Sequence, residues 1–417
     1  MVKRITAIVF IFVCASVAWG ILGGSIFSRT YDSDGRSSGQ VESLWGTAQN
    51  QMPPKASYIQ VVTRNEESLE DGVKVIRKVE EKVENPLPLD SSRIDVGLNL
   101  EHRQKGLLWY STYKVDYSGA YTFHNTSEQA QSVTFTLLFP ASQAIYDDLV
   151  FSVDDVPLTI TNEKNSASGI TKLGAGQSAV LKVGYHSRGL NEWRYSFGGG
   201  EVSQVRDFNL NMKTDFKDID FPDNTISPNQ KRETSNGWEL SWSYKNLLSG
   251  YQIAMVMPEK LQPGPLAGKI SLFAPVSLFF FFFLMFIITT MRGIELHPMN
   301  YFFLAAAFFA FHLLLAYLVD HVSIHAAFAI ASVVSVFLVI SYLRLVIGMQ
   351  FASREAAVAQ FVYLVLFSYA FFLKGFTGLA ITIGSVTTLF VVMQVTGRIR
   401  WADKFAVKPA ATSAELT

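Results

Sequence analysis

ISLFAPVSLFFFFFLMFIITTM, residues Ile270 to Met291, decides the fold. A bilayer core of about 30 Å is crossed by about 20 apolar residues, because a helix satisfies its backbone polar groups internally. This run carries no charge and has Phe279 to Phe283 at its centre, so it reads as a membrane span. Five more segments qualify: Ile5 to Gly24, Met299 to Val319, Ser323 to Leu343, Ala356 to Leu373 and Thr377 to Gly397. The 417-residue chain is 49% hydrophobic and has 35 basic against 35 acidic residues, which excludes a disordered chain or a polycationic nucleic-acid binder.

The first segment has a small-x-small site at Ser16 to Ala18, as a cleavable signal peptide would, but its hydrophobicity continues through Trp19, Ile21 and Leu22. An uncleaved anchor is the better reading. Val13 before Cys14 is too large for a lipoprotein site, and a single cysteine allows neither an intramolecular disulfide nor a cysteine-rich metal site. Alternating six spans puts Lys3, Arg4, Arg292, Arg344, Arg354, Arg398, Arg400, Lys404 and Lys408 on one side and only Lys269 and Lys374 on the other. Lys and Arg resist translocation, so both termini are expected in the cytoplasm, with residues 25–268 exported.

The expected organisation is therefore residues 1–24 as N-terminus and anchor, 25–268 as a periplasmic β-rich domain, 269–397 as a five-helix block and 398–417 as a cytoplasmic tail. The 25–268 stretch holds 30 acidic and 24 basic residues, a net −6 between net +6 ends. Its best stretches alternate with period two: Leu108 to Phe123, Ser132 to Phe139, Ala179 to Tyr185, Trp193 to Phe197, Phe208 to Met212 and Trp238 to Tyr244. Turn clusters at Gly198 to Gly200, Asn162 to Ser168 and Pro222 to Asn224 separate them. Glu66 to Val83 fits a helix or an edge strand equally, and Val41 to Gln49 suggests a short helix. The fold class is an α+β membrane protein: six transmembrane helices, one N-terminal and five C-terminal, with a large exported antiparallel β-sandwich-like domain.

Catalytic patterns are missing from the sequence: it has no GxSxG, HExxH, Walker loop or GxGxxG, so neither an enzyme nor a cofactor is expected. The Gly198 to Gly200 triplet reads as a hairpin turn rather than an anion cradle, and Asn125 to Ser127 forms a glycosylation sequon. His312 lies mid-span, where a polar group should face the bundle interior or a cavity, and Asp320, His321 and His325 follow at the outer end. On a helix, His321 and His325 at i, i+4 would share a face, as a metal site or proton relay requires; interfacial polar residues in a short turn are the plainer reading. The connection RGIELHP places Arg292, Glu295 and His297 before Pro298, which opens the next helix. Such a turn could bind a partner or lipid headgroup, or simply anchor a helix end. Gln360 and Gln394 suggest interhelical hydrogen bonds.

The stretch ELHPMNYFFLAAAFFAFHLLLAYLVDH, Glu295 to His321, resembles the membrane region of the CreD family of bacterial inner-membrane proteins. VESLWGTAQNQ (Val41 to Gln51), LEHRQKGLLWYSTYKVDYSGAYTF (Leu100 to Phe123) and FPDNTISPNQKRETSNGWELSWSY (Phe221 to Tyr244) agree with it in order. The resemblance implies an N-terminal span, an exported β-rich domain and a C-terminal helical block. It also implies a link to a two-component stress regulon and to envelope integrity, including bacteriocin tolerance and altered β-lactam response. The matching positions are Trp45, Gly46, Glu101, Arg103, Gly106, Leu296, His297, Pro298, Met299 and Tyr301.

The expected function is non-catalytic support of the envelope from the inner membrane, among membrane lipids. The acidic balance of the exported domain favours a periplasmic protein or envelope polymer as its partner over anionic lipid. The competing expectation is a transporter or lipid-handling protein with a polar route past His312, Asp320, His321 and His325. Oligomeric state is not legible.

Overall fold

A computed structural model describes residues 2–70, 73–105, 108–198, 202–397 and 399. The chain divides into two units: Met1–Gly35 with Gly106–Leu108 and Leu261–Thr417, and Arg36–Lys105 with Trp109–Lys260. The β-rich unit is narrower at both ends than the expected 25–268.

Among the described residues, six helices are long and apolar enough to cross a membrane. They are α1 (Val2–Trp45), α2 (Pro263–Arg292), α3 (Pro298–Leu318), α4 (Ile324–Val346), α5 (Met349–Phe372) and α6 (Thr377–Thr396). Local chemistry sets their ends. Pro263 opens α2, and Gly293 closes it at φ 68°, with the Ile294 N–H donating to Thr289 O at 2.9 Å. The Ala327 N–H donates to Ser323 O in the first turn of α4, and the Ser323 hydroxyl accepts from the Ala326 N–H. The bundle core is aromatic and aliphatic: Phe281 lies on Phe308 with ring centroids 4.7 Å apart, and Phe311 meets Phe328 edge-on at 5.4 Å. Gln360 of α5 donates to Ser335 Oγ of α4 at 2.7 Å, and Ser335 donates to Ala307 O of α3 at 2.6 Å, a hydrogen-bond chain through three helices. Gln394 is exposed on α6 and takes no part in it.

Two helices depart from expectation. α1 does not stop at Gly24 but runs to Trp45, so the short helix expected over Val41 to Gln49 is its last turn, and Gln49–Gln51 is a strand. α5 begins at Met349 rather than Ala356, taking in Glu355, a charge that ends an apolar window in the sequence and here pairs with Arg292 of α2. π-helical turns at Ala352–Ala356 and Phe361–Leu366 interrupt it.

The β-rich unit holds three sheets around one core. The largest has eight strands in the order Gln230–Glu233, Trp238–Ser249, Ser203–Thr214, Leu89–Lys105, Leu108–His124, Ser178–Leu190, Tyr146–Val153, Val156–Pro157. Five strands form the second: Val73–Pro86, Lys55–Glu70, Gln131–Leu138, Ser166–Leu173, Thr161–Glu163. Gln49–Gln51, Glu192–Tyr195 and Ile253–Val256 form the third. Alternation along Leu108–His124 does what the sequence requires: Tyr113, Val115, Tyr117, Tyr121 and Phe123 are buried while Lys114, Asp116 and Ser118 are exposed. Phe123 of the largest sheet meets Phe135 of the second edge-on at 5.6 Å.

Among the described residues, Leu89–Lys105 pairs with Ser203–Thr214 and Gln49–Gln51 with Glu192–Tyr195 in parallel, as does the isolated bridge Thr225 to Gln252. Within the ambiguous segment Glu66 to Val83, all residues but 71 and 72, which lie outside the described residues, are strand, in a long antiparallel pairing of Lys55–Glu70 with Val73–Pro86. The turn cluster expected over Asn162 to Ser168 is mostly strand, with the reversal confined to Lys164 and Asn165. Asn125 of the sequon is fully buried, its Nδ2 donating to Gly174 O at 2.8 Å and its Oδ1 accepting from Ser127, so its side chain staples a turn. Gly106, Gly199, Gly200 and the tail from Arg400 lie outside the described residues.

Candidate functional site

In the β-rich unit, four of the five positions that the sequence resemblance names there meet: Trp45, Gly46, Glu101 and Arg103. Gly46 ends α1 at φ 91°, its N–H donating to Glu42 O at 2.9 Å. A Cβ there would sit 2.7 Å from Arg188 O, so glycine is required both for the left-handed backbone and for the close approach. Gln49 Nε2 then donates to Arg188 O and Ser187 Oγ, each at 2.8 Å, and Tyr185 Oη donates to Gln51 Oε1 at 2.6 Å. The segment from Gly46 to Gln51 is thus locked along the strand Ser178–Leu190.

This lock places the half-buried indole of Trp45 under two cations. The Arg103 guanidinium lies 3.2 Å from the ring centroid and that of Arg188 lies 4.8 Å away. Glu101, two residues before Arg103 and on the same strand face, accepts from Arg103 Nη2 and pairs with Lys114 Nζ, both at 2.7 Å. The Lys114 hydrogen bond, followed by that of Arg103, holds the Glu101 carboxyl below the usual carboxylate range. Between them, burial and then the Lys260 charge push the His102 imidazole below its ordinary value. Lys260 in turn lies 3.8 Å over the Trp109 ring. Sequence reasoning singled out none of Arg188, Lys114 and Gln49: Arg188 is distant in sequence, and nothing local marks Lys114 or Gln49 within the stretches that contain them. The site is a cation-rich surface with a flat aromatic between its charges. Such a surface can recognise anionic or hydrogen-bond-accepting partners.

The helical-unit candidates separate. His297 caps α3, its Nδ1 accepting from the Met299 N–H at 3.2 Å, with its ring exposed. Pro298 occupies the first helical position, Leu296 is buried, and Tyr301 is buried edge-on to Phe282 with its hydroxyl unpartnered. Glu295 is exposed, and Arg292 pairs with Glu355 of α5 rather than within the turn.

His312 is fully buried, donates from Nδ1 to Phe308 O at 3.0 Å and packs edge-on to Trp19 at 5.5 Å. Its Nε2 and Trp19 Nε1 have no hydrogen-bond partner. Asp320 lies eight residues on, about 12 Å along the chain at the helical rise, where Arg29 of α1 pairs with it at 3.1 Å, donates to Ala316 O at 2.9 Å and covers the Tyr317 ring. His321 and His325 do not share a helix face: α3 ends at Leu318 and α4 starts at Ile324, so His321 is in the connecting turn while His325 lies over Phe372. Among the described residues no group of three or more His, Cys, Asp or Glu is placed to hold a metal ion.

The family model described as inner membrane protein CreD matches residues 1–402. The chain belongs to the CreD family. The match spans the positions that the sequence resemblance named, Trp45, Gly46, Glu101, Arg103 and Leu296 to Tyr301. Among the curated proteins compared, none matches the chain. Solved structures with some likeness include a Legionella pneumophila protein described as nutrient-binding, at 9% identity and TM-score 0.35, covering 57% of this chain and 76% of its own. An M1 zinc metallopeptidase from Deinococcus radiodurans has 8% identity and TM-score 0.26, covering 76% and 92%. At these scores neither bears on the CreD fold or activity.

Proposed function

We propose that the chain supports cell-envelope integrity without catalysis, by presenting the Trp45, Arg103 and Arg188 surface of its β-rich unit to a periplasmic protein or envelope polymer. The observation that carries this is the convergence of separate family motifs on one surface whose charges and aromatic are held fixed by Gly46, Gln49 and Glu101. In this reading both termini are cytoplasmic and the β-rich unit is periplasmic, supported by nine Lys and Arg on one side against two on the other.

The test is uptake of a membrane-impermeant dye by a deletion strain under envelope stress, complemented by the wild-type chain or by Trp45→Ala and Arg103→Gln. Rescue by wild type and loss of rescue by both variants at normal abundance is expected. No uptake defect in the deletion strain sinks the integrity role; full rescue by both variants sinks the assigned surface. A phosphatase fused after Lys260 should be active and one fused after Arg292 inactive, and activity at both breaks the topology.

A polar route through the helices is the second reading, motivated by the unpartnered His312 Nε2 and Trp19 Nε1. Buried atoms of this kind call for water or a transient ligand. Against a route, His312 packs tightly on aromatic rings and Asp320 is engaged with Arg29. On this reading His312→Leu would abolish function and leave the Trp45 variants active.

A further inference from the structure

Lys55–Glu70 and Val73–Pro86 leave the five-stranded sheet as a ribbon of their own. The first pairs with Gln131–Leu138 only over Lys55 to Tyr58, whereas the two pair with each other from Ser57 and Pro86 to Glu70 and Val73. From Ile59 onward the ribbon is two strands wide and, at the usual strand rise, about 40 Å long. Ile59 to Asn65 and Lys78 to Glu84 are all exposed. Successive residues on a strand point to opposite faces, so Val61, 54% exposed, and Val62, 41% exposed, show that both faces are open. Two strands with no covering layer are marginal in water; further strands supply what they lack.

Val73–Pro86 is the end strand of its sheet, its outer row of N–H and C=O groups unclaimed by any described strand. Its sequence, VKVIRKVEEKVENP, has an order of charge: Lys74, Arg77 and Lys78 come first, and Glu80, Glu81 and Glu84 follow, with only Lys82 among them. Charges on an edge discourage pairing with other chains, and for that purpose their order is immaterial. Order matters when the strand meets a copy of itself. An antiparallel pair with its two-fold axis at Val79 sets Lys78 opposite Glu80, Arg77 opposite Glu81 and Lys74 opposite Glu84, each twice, with Val79 opposite Val79 and Val75 opposite Val83. Shifting the axis to Glu81 would bring two carboxylates together and leave Arg77 against Asn85. The other open edge of the ribbon, Ile59 to Glu70, has Arg64 alone against Glu66, Glu67 and Glu70, so pairing with itself answers only one of its three glutamates.

We propose that Val73–Pro86 is a homodimer interface: two copies of the chain join edge to edge about a two-fold axis at Val79, and their ribbons form one four-stranded sheet. Such a contact is isologous, so it closes at two copies and leaves neither Val73–Pro86 edge free. It uses none of Trp45, Arg103 and Arg188, so it and the envelope reading fail separately.

The full-length protein in native membranes, with Cys14→Ser to remove its one cysteine, is given single cysteines and a mild oxidant. Val79→Cys forms a disulfide-linked dimer, since its two copies sit opposite each other across the axis. Glu81→Cys does not, since an offset of four residues separates its copies by about 13 Å, beyond disulfide reach. Dimers at position 81 and none at 79 overturn the register, dimers at neither overturn the interface, and equal yields at both report collision and overturn it too. Charge reversal is read separately, by sedimentation of the purified protein in detergent. Lys78→Glu and Glu80→Lys, both at exposed positions, each weaken dimerisation about tenfold or more, because each sets like charges opposite one another twice. The double variant Lys78→Glu/Glu80→Lys restores it to within about threefold. A monomer at every concentration, or a dimer that both single reversals leave intact, overturns the proposal and leaves the charges as edge protection. Single reversals that weaken the dimer with a double variant that fails to restore it overturn this pairing of charges.

Discussion

Arg103 holds its guanidinium 3.2 Å above the centre of the Trp45 ring, and Trp45 is the last residue of α1. The helix therefore ends inside the cluster formed by the strand Leu89–Lys105. Two cations share this one indole, so each raises the electrostatic cost of the other, and Glu101 offsets that cost by binding Arg103 and Lys114. The arrangement is cooperative: removing any one group changes what the others experience.

The Trp45 and Arg103 contact should appear as a coupling energy. In a double-mutant cycle of Trp45→Leu and Arg103→Gln in the full chain, thermal or denaturant unfolding should give about 0.5–2 kcal/mol of favourable interaction. Strict additivity would show that the stacked geometry contributes no energy of its own.

Gly46→Ala should cost more than either. Alanine at φ 91° leaves the allowed left-handed region and drives a methyl to 2.7 Å from Arg188 O, a backbone atom that cannot rotate away. Strain of this kind runs to about 1–3 kcal/mol before the clash is counted. A melting temperature lowered by several degrees with α1 still helical is expected. An unchanged melting temperature would mean that the α1-to-strand turn can relax.

Two neighbouring groups give opposite protonation states a role. His102 has its pKa lowered by burial and by Lys260, so the unfolded chain binds the proton first, and stability is lost as pH falls below about 6.5 toward the folded value. Glu101 has its pKa lowered by Lys114 and Arg103, so its contribution is present above about pH 4.3 and is lost as pH falls through the folded value. Melting of the full chain across pH 7.5 to 3.5 should therefore show two declines. His102→Gln should flatten the first and Glu101→Gln the second. If each variant keeps the wild-type slope in its own window, these groups are not the source.

The membrane helices were legible because a chargeless run such as Ile270 to Met291 has no other stable home, and Leu108 to Phe123 because burial on one sheet face imposes period two. What escaped follows from the same physics. Arg29 to Gln40 is rich in Ser, Gly and Asp, poor helix formers, yet α1 continues through it, so propensity alone misplaced the end. Lys55–Glu70 and Val73–Pro86 pair at a sheet edge, where Ile59, Val61 and Val79 are exposed along with Arg64, so no alternation distinguishes strand from helix. At the site, Trp45, Gly46, Glu101 and Arg103 came from the family resemblance. Arg188 and Lys114 are surface cations on strands, indistinguishable in sequence from any other until the fold brings them to the indole and the carboxylate.

His297 offers a way to separate architecture from recognition at the start of α3. Its Nδ1 accepts the Met299 N–H, so His297→Ala leaves that donor unsatisfied and should destabilise the helix start by about 0.5–2 kcal/mol, as for loss of an N-cap. His297→Ser restores a capping oxygen but removes the exposed ring. If capping is all that the residue does, the serine variant should recover both melting temperature and dye exclusion while the alanine variant loses some of each. A serine variant with normal melting and failed complementation would assign the imidazole a contact of its own at that membrane surface. The exposed Glu295 would then be its nearest candidate neighbour in sequence for the same contact, to be tested by Glu295→Gln in the His297→Ser background.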